Sequence, residues 1–323
     1  MAVYTAVAPD EVAALLDRYG IAPVHSMKGI AEGVENSNYL VDAGEGPSRA
    51  RYILTLYERR VDVADLPFFI ALTEHLSARG CPVARMLPDR DGRVVQQVAD
   101  RAACLIQFLD GLSPTHPTPA QAVEAGRTLA TLHLAGQAFA DHRLNPFAIE
   151  GLAALALLIE GRCDDMLPNL AKAVAGLVDA ERLIDVGALP SGVIHADAFP
   201  DNLLFSGDRV SGVIDFYFAC NDALAWDYAV MHSAWCFNAD NHLDPAMSRA
   251  LSDGYQAVRP FTAAERAALP HLAQRAAMRF TLTRAMDWLE TPEDALVQRK
   301  DPRVYWQRLD SYRTLTPDDL LGA

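Results

Sequence analysis

Near residue 110 the chain changes character, and that break limits its possible folds more than any other feature. Before it, β-rich runs at 34–42 and 51–57 are separated by Gly44-Glu45-Gly46-Pro47, the chemistry of a hairpin loop. Residues 93–98 and 102–108 read as two further short strands. Two helices accompany them. One opens at Pro9-Asp10-Glu11, sets Val12, Leu15, Leu16 and Tyr19 on one face and stops at Gly20; the other runs from about Leu66 to Arg79 and stops at Gly80. After Gln107-Phe108-Leu109-Asp110-Gly111, the prolines Pro114, Pro117 and Pro119 lead into helical patterns over 119–138, 149–185 and 222–289, interrupted only by a β-rich stretch at 192–215. A small β-rich unit over 1–109 and a larger, mostly helical one over 110–323 make an α+β, two-lobed architecture. Its natural ligand site is the cleft between lobes.

Composition narrows the function. With 323 residues, 51% of them hydrophobic, the chain can bury a large core. The net charge of -14, without any Lys/Arg run, argues against a nucleic-acid partner and for a compact substrate. Cys81, Cys104, Cys163, Cys220 and Cys236 are odd in number and form no C-x-x-C pair, which fits reduced thiols. No basic segment opens the chain and no uncharged apolar run is long enough to span a membrane, so the expected location is the cytoplasm. The pattern specifies no oligomeric state.

The chemistry concentrates in Gly192-Val-Ile-His195-Ala-Asp197-Ala-Phe-Pro-Asp-Asn202 and in Gly212-Val-Ile-Asp215-Phe216. Each segment ends an apolar run with a carboxylate. Phosphoryl transfer to an alcohol needs a carboxylate to accept the hydroxyl proton, and oxygen ligands to hold magnesium on the nucleotide phosphates. Asp197 fits the first need, Asn202 and Asp215 the second. An Asp at +2 and an Asn at +7 from His195 match the kinase catalytic loop H-x-D-x-x-x-x-N. His195 reads better as a hydrogen-bonding support of that loop than as the base.

With these residues in view, the chain resembles the aminoglycoside phosphotransferase and choline kinase superfamily, whose loop usually reads H-G-D-x-x-x-x-N followed by I-D-[FW]. Within it, Glu32-Gly-Val-Glu-Asn-Ser-Asn-Tyr39, Tyr52-Ile-Leu-Thr-Leu-Tyr-Glu58, Leu66-Pro-Phe-Phe69, Leu132-His-Leu-Ala-Gly136 and Ile214-Asp-Phe-Tyr-Phe-Ala-Cys-Asn-Asp222 are similar to the bacterial homoserine kinase branch. The resemblance implies a bilobal protein-kinase-like fold, with a nucleotide-binding lobe over 1–109 and a catalytic, substrate-binding lobe over 110–323. It implies ATP and Mg2+ as cofactors, Asp197 as base, and Asn202 and Asp215 as metal ligands. It further implies a phosphate turn from Gly33 through Ser37 to Asn38, although an ordinary hairpin fits that turn equally well. Gln107 to Leu109 would read adenine, and Asp227 would buttress the catalytic loop. One departure stands out: Thr55 occupies the third-strand position where kinases carry a phosphate-binding lysine that pairs with a helix glutamate, here Glu74. Either Lys28 or Arg51 replaces that lysine, or magnesium and backbone donors suffice.

The acceptor that the resemblance implies is L-homoserine, a zwitterion that needs a cation for its carboxylate and an acceptor for its ammonium. Arg279 and Arg284 could fork the carboxylate, while Tyr217, Asn221 and Asp222 follow the metal aspartate closely. Competing readings are a kinase for choline, an aminoglycoside or another amino alcohol, a nucleotide-binding pseudokinase, and a His/Asp metal hydrolase.

Overall fold

The computed structural model describes residues 4–30, 36–58, 61–291 and 299–323. The chain divides into two compact units, Met1–Asp110 and Gly111–Ala323. In the first, helix α1 (Pro9–Tyr19) precedes strands β1 (Val24–Gly29), β2 (Asn36–Ala43) and β3 (Ala50–Tyr57), then helix α2 (Leu66–Ser77) and strands β4 (Gln96–Val98) and β5 (Arg101–Gln107). Among the described residues these strands form one antiparallel sheet in the order β1-β2-β3-β5-β4. Side chains alternate across a strand, so Tyr39, Val41, Leu54 and Leu56 fall on one face and pack with Val12, Leu15 and Leu16 of α1. Asn38, Leu40, Ile53 and Thr55 occupy the other face, as does Lys28, whose register partner is Leu40. α1 begins at a proline in its first turn and ends on Gly20 at φ 74°, where a left-handed residue closes the helix.

The second unit contains helices α3 (Pro119–Gly136), α4 (Ile149–Ile159) and α5 (Leu170–Glu181). Strands β6 (Ser191–Ile194), β7 (Leu203–Ser206), β8 (Arg209–Val213) and β9 (Cys220–Ala223) follow. Helices α6 (Leu224–Trp235), α7 (Pro245–Gln256), α8 (Ala263–Glu290), α9 (Arg303–Tyr312) and α10 (Pro317–Leu321) complete it. The β-rich interruption expected at 192–215 is therefore two antiparallel pairs, β6 with β9 and β7 with β8. Strand β9 lies where helix was expected, and β1 where nothing was; neither segment shows the β-branched alternation that marks a strand. α3 and α7 meet backbone to backbone, because a Cβ on Gly126 would lie 2.1 Å from the Leu251 carbonyl and one on Gly254 1.9 Å from that of Val123. That approach brings Tyr255 of α7 to His133 of α3, hydroxyl to Nδ1, at 2.8 Å.

His232 of α6 sits fully inside this unit, with Nδ1 2.8 Å from the Tyr312 hydroxyl and Nε2 3.1 Å from Ser248 Oγ. Burial holds its pKa down at about 3, against 6.5 unperturbed. Below pH 6.5 the unfolded chain takes up a proton that the folded one refuses, so stability present above that pH is lost as pH falls toward 3, by at most about 1.4 kcal/mol per unit. Urea midpoints measured at pH 7 and pH 5 should show this drop in the wild type and a shallower one in His232→Gln. Equal slopes in both proteins would exclude His232 as the source.

Candidate active site

Strand β6 delivers His195 at its end, and the chain then turns through Ala196 at φ 63°. Three groups hold the turn. Asp227, fully buried on α6, accepts the N–H of His195 at 2.9 Å on one carboxylate oxygen and that of Ala196 at 2.7 Å on the other. His133 Nε2 lies 3.0 Å from Asp227 and continues the chain of contacts to Tyr255. Burial pushes the Asp227 carboxyl up, but His133, His195 and the loop amide outweigh it and leave it below the ordinary carboxylate value.

His195 is only 3% exposed. Its Nδ1 accepts the N–H of Asp197 at 3.2 Å, so Nε2 is the protonated nitrogen and donates to the Ile214 carbonyl at 3.0 Å. Both ring nitrogens are occupied and burial lowers the pKa, so the ring acts as a neutral strut between the loop and the strand leading to Asp215.

Ala196 stands where the superfamily pattern has glycine. A left-handed non-glycine residue costs about 1 kcal/mol, which Asp227 offsets by binding the N–H groups of His195 and of Ala196 itself. Ala196→Gly is expected to raise folding stability by roughly 0.5–1 kcal/mol, read as a higher urea midpoint; an unchanged or lower midpoint would show that the turn carries no such strain.

Asp197 follows with its side chain 17% exposed. Asn202 Nδ2 donates to its carbonyl at 2.8 Å and its Oδ2 at 3.2 Å, while Arg279 of α8 approaches Oδ1 at 3.5 Å and donates to the Ala196 carbonyl. Burial raises the Asp197 pKa, and Arg279 and then His195 pull it partly back. The result is a carboxylate more basic than usual, kept ionisable by an adjacent guanidinium.

The amide nitrogen of Asn202 faces Asp197, so its oxygen is directed away from that carboxylate. The N–H of Ile214 donates to the Asn202 carbonyl at 3.1 Å, which closes the β7–β8 hairpin and sets Asp215 beside Asn202. Asp215 has φ 65°, and its residue is exposed. An amide oxygen and an exposed carboxylate are hard donors that suit magnesium.

The remaining sequence-derived candidates are distributed unevenly. Arg279 does not present a fork to an acceptor: it is 1% exposed, its guanidinium carbon lies 4.5, 4.8 and 4.4 Å from the ring centroids of Phe147, Phe218 and Phe280, and its donors serve the catalytic loop. Asp222 is likewise committed, accepting from Asn145 Nδ2 and Arg275 Nη2 at 2.6 Å each. Asn221 caps the Arg143 N–H at 2.9 Å. Both therefore work inside the fold because β9, which the sequence pattern concealed, turns them inward. Tyr217 lies half-buried two residues beyond Asp215, and Arg284 lies farther along α8.

In the first unit, Ser37 is fully buried, donates to Glu58 at 2.6 Å and accepts the N–H groups of Tyr4 and Thr5, so its hydroxyl has no proton left for a phosphate. Thr55 donates to Asn38 Oδ1 at 2.7 Å, which ties two of the candidate nucleotide residues to each other. Glu74 pairs with Arg85 at 3.5 Å on an exposed surface rather than with a strand cation. Arg51 is held by Asp110 at 2.5 Å and stacks on Phe108, leaving Lys28 exposed on the Asn38 face of the sheet. Gln107 donates its N–H to the Arg85 carbonyl at 2.8 Å, and Leu109 lies just past the end of β5. Gly33 lies outside the described residues. His133 and Tyr255, which the sequence reading missed as supports, had one signal: a lone histidine on the buried face of a helix.

Comparison with known proteins agrees with this architecture. Residues 26–261 match the model of the phosphotransferase enzyme family. A homoserine kinase of Xanthobacter autotrophicus is 50% identical over 309 residues, 96% of this chain and 95% of that one. One from Rhodopseudomonas palustris is 49% identical over 310 residues, 96% and 94% of the two chains. Among solved structures, an amicoumacin kinase in complex with AMP-PNP, Ca2+ and Ami superposes with a TM-score of 0.72 at 15% identity, covering 94% of each chain. A spectinomycin phosphotransferase does so with 0.71 at 13%, covering 96% of this chain and 98% of that one. The fold is thus α+β and protein-kinase-like, and the chain belongs to the phosphotransferase enzyme family, among the homoserine kinases.

Proposed function

We propose that this protein transfers the γ-phosphoryl group of Mg-ATP to the side-chain hydroxyl of L-homoserine, giving O-phospho-L-homoserine, the alcohol activation that threonine biosynthesis requires. The observation that carries this reading is the likeness to homoserine kinases over 96% of a chain that carries Asp197, Asn202 and Asp215 at the spacing of a kinase loop. Asp197 takes the proton from the acceptor hydroxyl as the oxygen attacks phosphorus, and ADP leaves. Its raised basicity suits that task, and Arg279 fixes the carboxylate and limits the rise. Asn202 and Asp215 would hold magnesium, which supplies charge neutralisation on the phosphates. Asn38, Lys28 and the Leu109 backbone are the groups of the first unit best disposed toward a nucleotide; Lys28 takes over the charge that the third-strand lysine would have provided.

The free, buried cysteines support a reducing, cytoplasmic location. No helix among the described residues is long and apolar enough to cross a membrane. The test is ADP release in a coupled assay with Mg-ATP and L-homoserine, L-threonine, L-serine, choline or an aminoglycoside. Turnover selective for L-homoserine supports the reading, whereas preference for another alcohol would retain the chemistry and overturn the acceptor.

A further inference from the structure

Three arginines surround one aromatic cluster beside the catalytic loop. Phe199 of the loop, Phe280 of α8 and Tyr305 of α9 pack with ring centroids 4.7 Å (Phe199 to Phe280) and 4.9 Å (Phe280 to Tyr305) apart. Arg279 lies over Phe280 at 4.4 Å, and Arg284 and Arg308 lie over Tyr305 at 4.4 and 4.7 Å. Two of the three have acceptors. Arg279 binds the Ala196 carbonyl and Asp197, and Arg308 binds the Ser233 carbonyl and Asn241 Oδ1. Arg284 has no hydrogen bond and no ion pair among the described residues, its sole close partner being the Tyr305 ring.

A half-buried guanidinium with five donors and no acceptor among the described residues is an unbalanced group, since a cation withdrawn from water needs an anion close by. Burial pulls the Arg284 pKa below the arginine value, with Asp197 and Asp201 near enough to oppose that fall. Neither is bonded to it, nor is Asp301, which also feels its charge: Asp197 is held by Arg279 and Asn202, Asp201 faces Lys300 at 4.0 Å, and Asp301 is paired with Arg303. The guanidinium carbon lies 4.4 Å from the centre of the Tyr305 ring, and a planar guanidinium fork suits a planar carboxylate better than a point charge does.

We propose that Arg284 anchors the α-carboxylate of the acceptor and thereby selects amino alcohols that carry one. This rests on the homoserine reading and adds the residue that enforces it. L-homoserine measures about 5 Å from carboxylate carbon to hydroxyl oxygen when extended. With a hydrogen bond of about 2.8 Å at each end, it bridges groups roughly 10 Å apart, and Arg284 is linked to Asp197 through the contacts of Tyr305, Phe280 and Arg279. Assigning the carboxylate to Arg284 also frees Arg279 for its observed work on the loop.

The experiment compares L-homoserine with 3-amino-1-propanol, the same amino alcohol without its carboxylate, in the wild type, Arg284→Gln and Arg284→Lys. The wild-type preference for L-homoserine in kcat/KM should collapse by about 50-fold in Arg284→Gln, chiefly through KM, as expected for the loss of one charged, bidentate contact. Arg284→Lys should recover part of it, and the KM for ATP, read in the same assays, reports that the variants are folded. An Arg284→Gln enzyme that keeps the wild-type preference overturns the anchor and leaves the homoserine reading standing. A raised KM for ATP with an unchanged preference also overturns it, by assigning Arg284 to the nucleotide. A wild type that does not phosphorylate L-homoserine removes both.

Discussion

Asp197→Asn is expected to lower kcat with L-homoserine by about 1,000-fold, the middle of the range that a positioned general base contributes. An amide cannot take the hydroxyl proton. The substitution keeps the size of the side chain and an oxygen for Arg279, while the new amide nitrogen meets the Asn202 Nδ2 donor across what was a 3.2 Å contact. The fold should tolerate it, because the loop is held by Asp227 through the two preceding amides and not by the Asp197 carboxylate. Single-turnover phosphorylation and ATP binding measured on the same sample separate these effects. A variant retaining a tenth of the wild-type rate would remove Asp197 from the role of base.

The second large effect is expected at Asp227. Its alanine variant leaves the N–H groups of His195 and Ala196 unsatisfied and His133 Nε2 without its carboxylate, all in a part of the interior where Asp227 itself has no exposure. Each buried orphan donor costs about 1–3 kcal/mol, and removing one partner of a buried polar set costs about 3–5 kcal/mol. Against a total stability of about 5–15 kcal/mol that is a severe loss, visible as a fall in the urea midpoint. Any folded fraction should also lose about 100-fold in kcat, because the left-handed turn at Ala196 then drifts and carries Asp197 with it. Asp227→Asn keeps one acceptor oxygen and should fall between the two proteins. Wild-type stability and rate in Asp227→Ala would show that the loop holds its shape unaided.

What the sequence made legible follows from how local each signal is. His195, Asp197, Asn202 and Asp215 stand out because a turn and a hairpin fix their spacing within twenty-one residues, and α1 because its proline start and glycine stop flank a clean apolar face. The misreadings arise where distant segments meet. Arg279 resembled a substrate fork until the aromatic faces of Phe147 and Phe218 and the Ala196 carbonyl, from three distant places in the chain, claimed it beside its neighbour Phe280. Asp222 looked available because it follows Asp215 closely, but its partners Asn145 and Arg275 are 77 and 53 residues away. Ser37 kept the appearance of a phosphate donor because nothing local reveals that Glu58 waits across the sheet.

Helix α8 is 28 residues long, about 42 Å of continuous rod. It carries Arg275 against Asp222, Arg279 against the catalytic loop and Arg284 over Tyr305. Removing one residue ahead of Arg279 would rotate everything downstream by about 100°, taking the guanidinium away from Asp197 while leaving Arg275 in place. Through evolution this segment can therefore accept replacements but not changes in length. Past Arg279 the helix stays tied to the core through Thr281, Leu282 and Ala285, all fully buried, so replacement is open chiefly at half-buried positions such as Thr283 and Arg284.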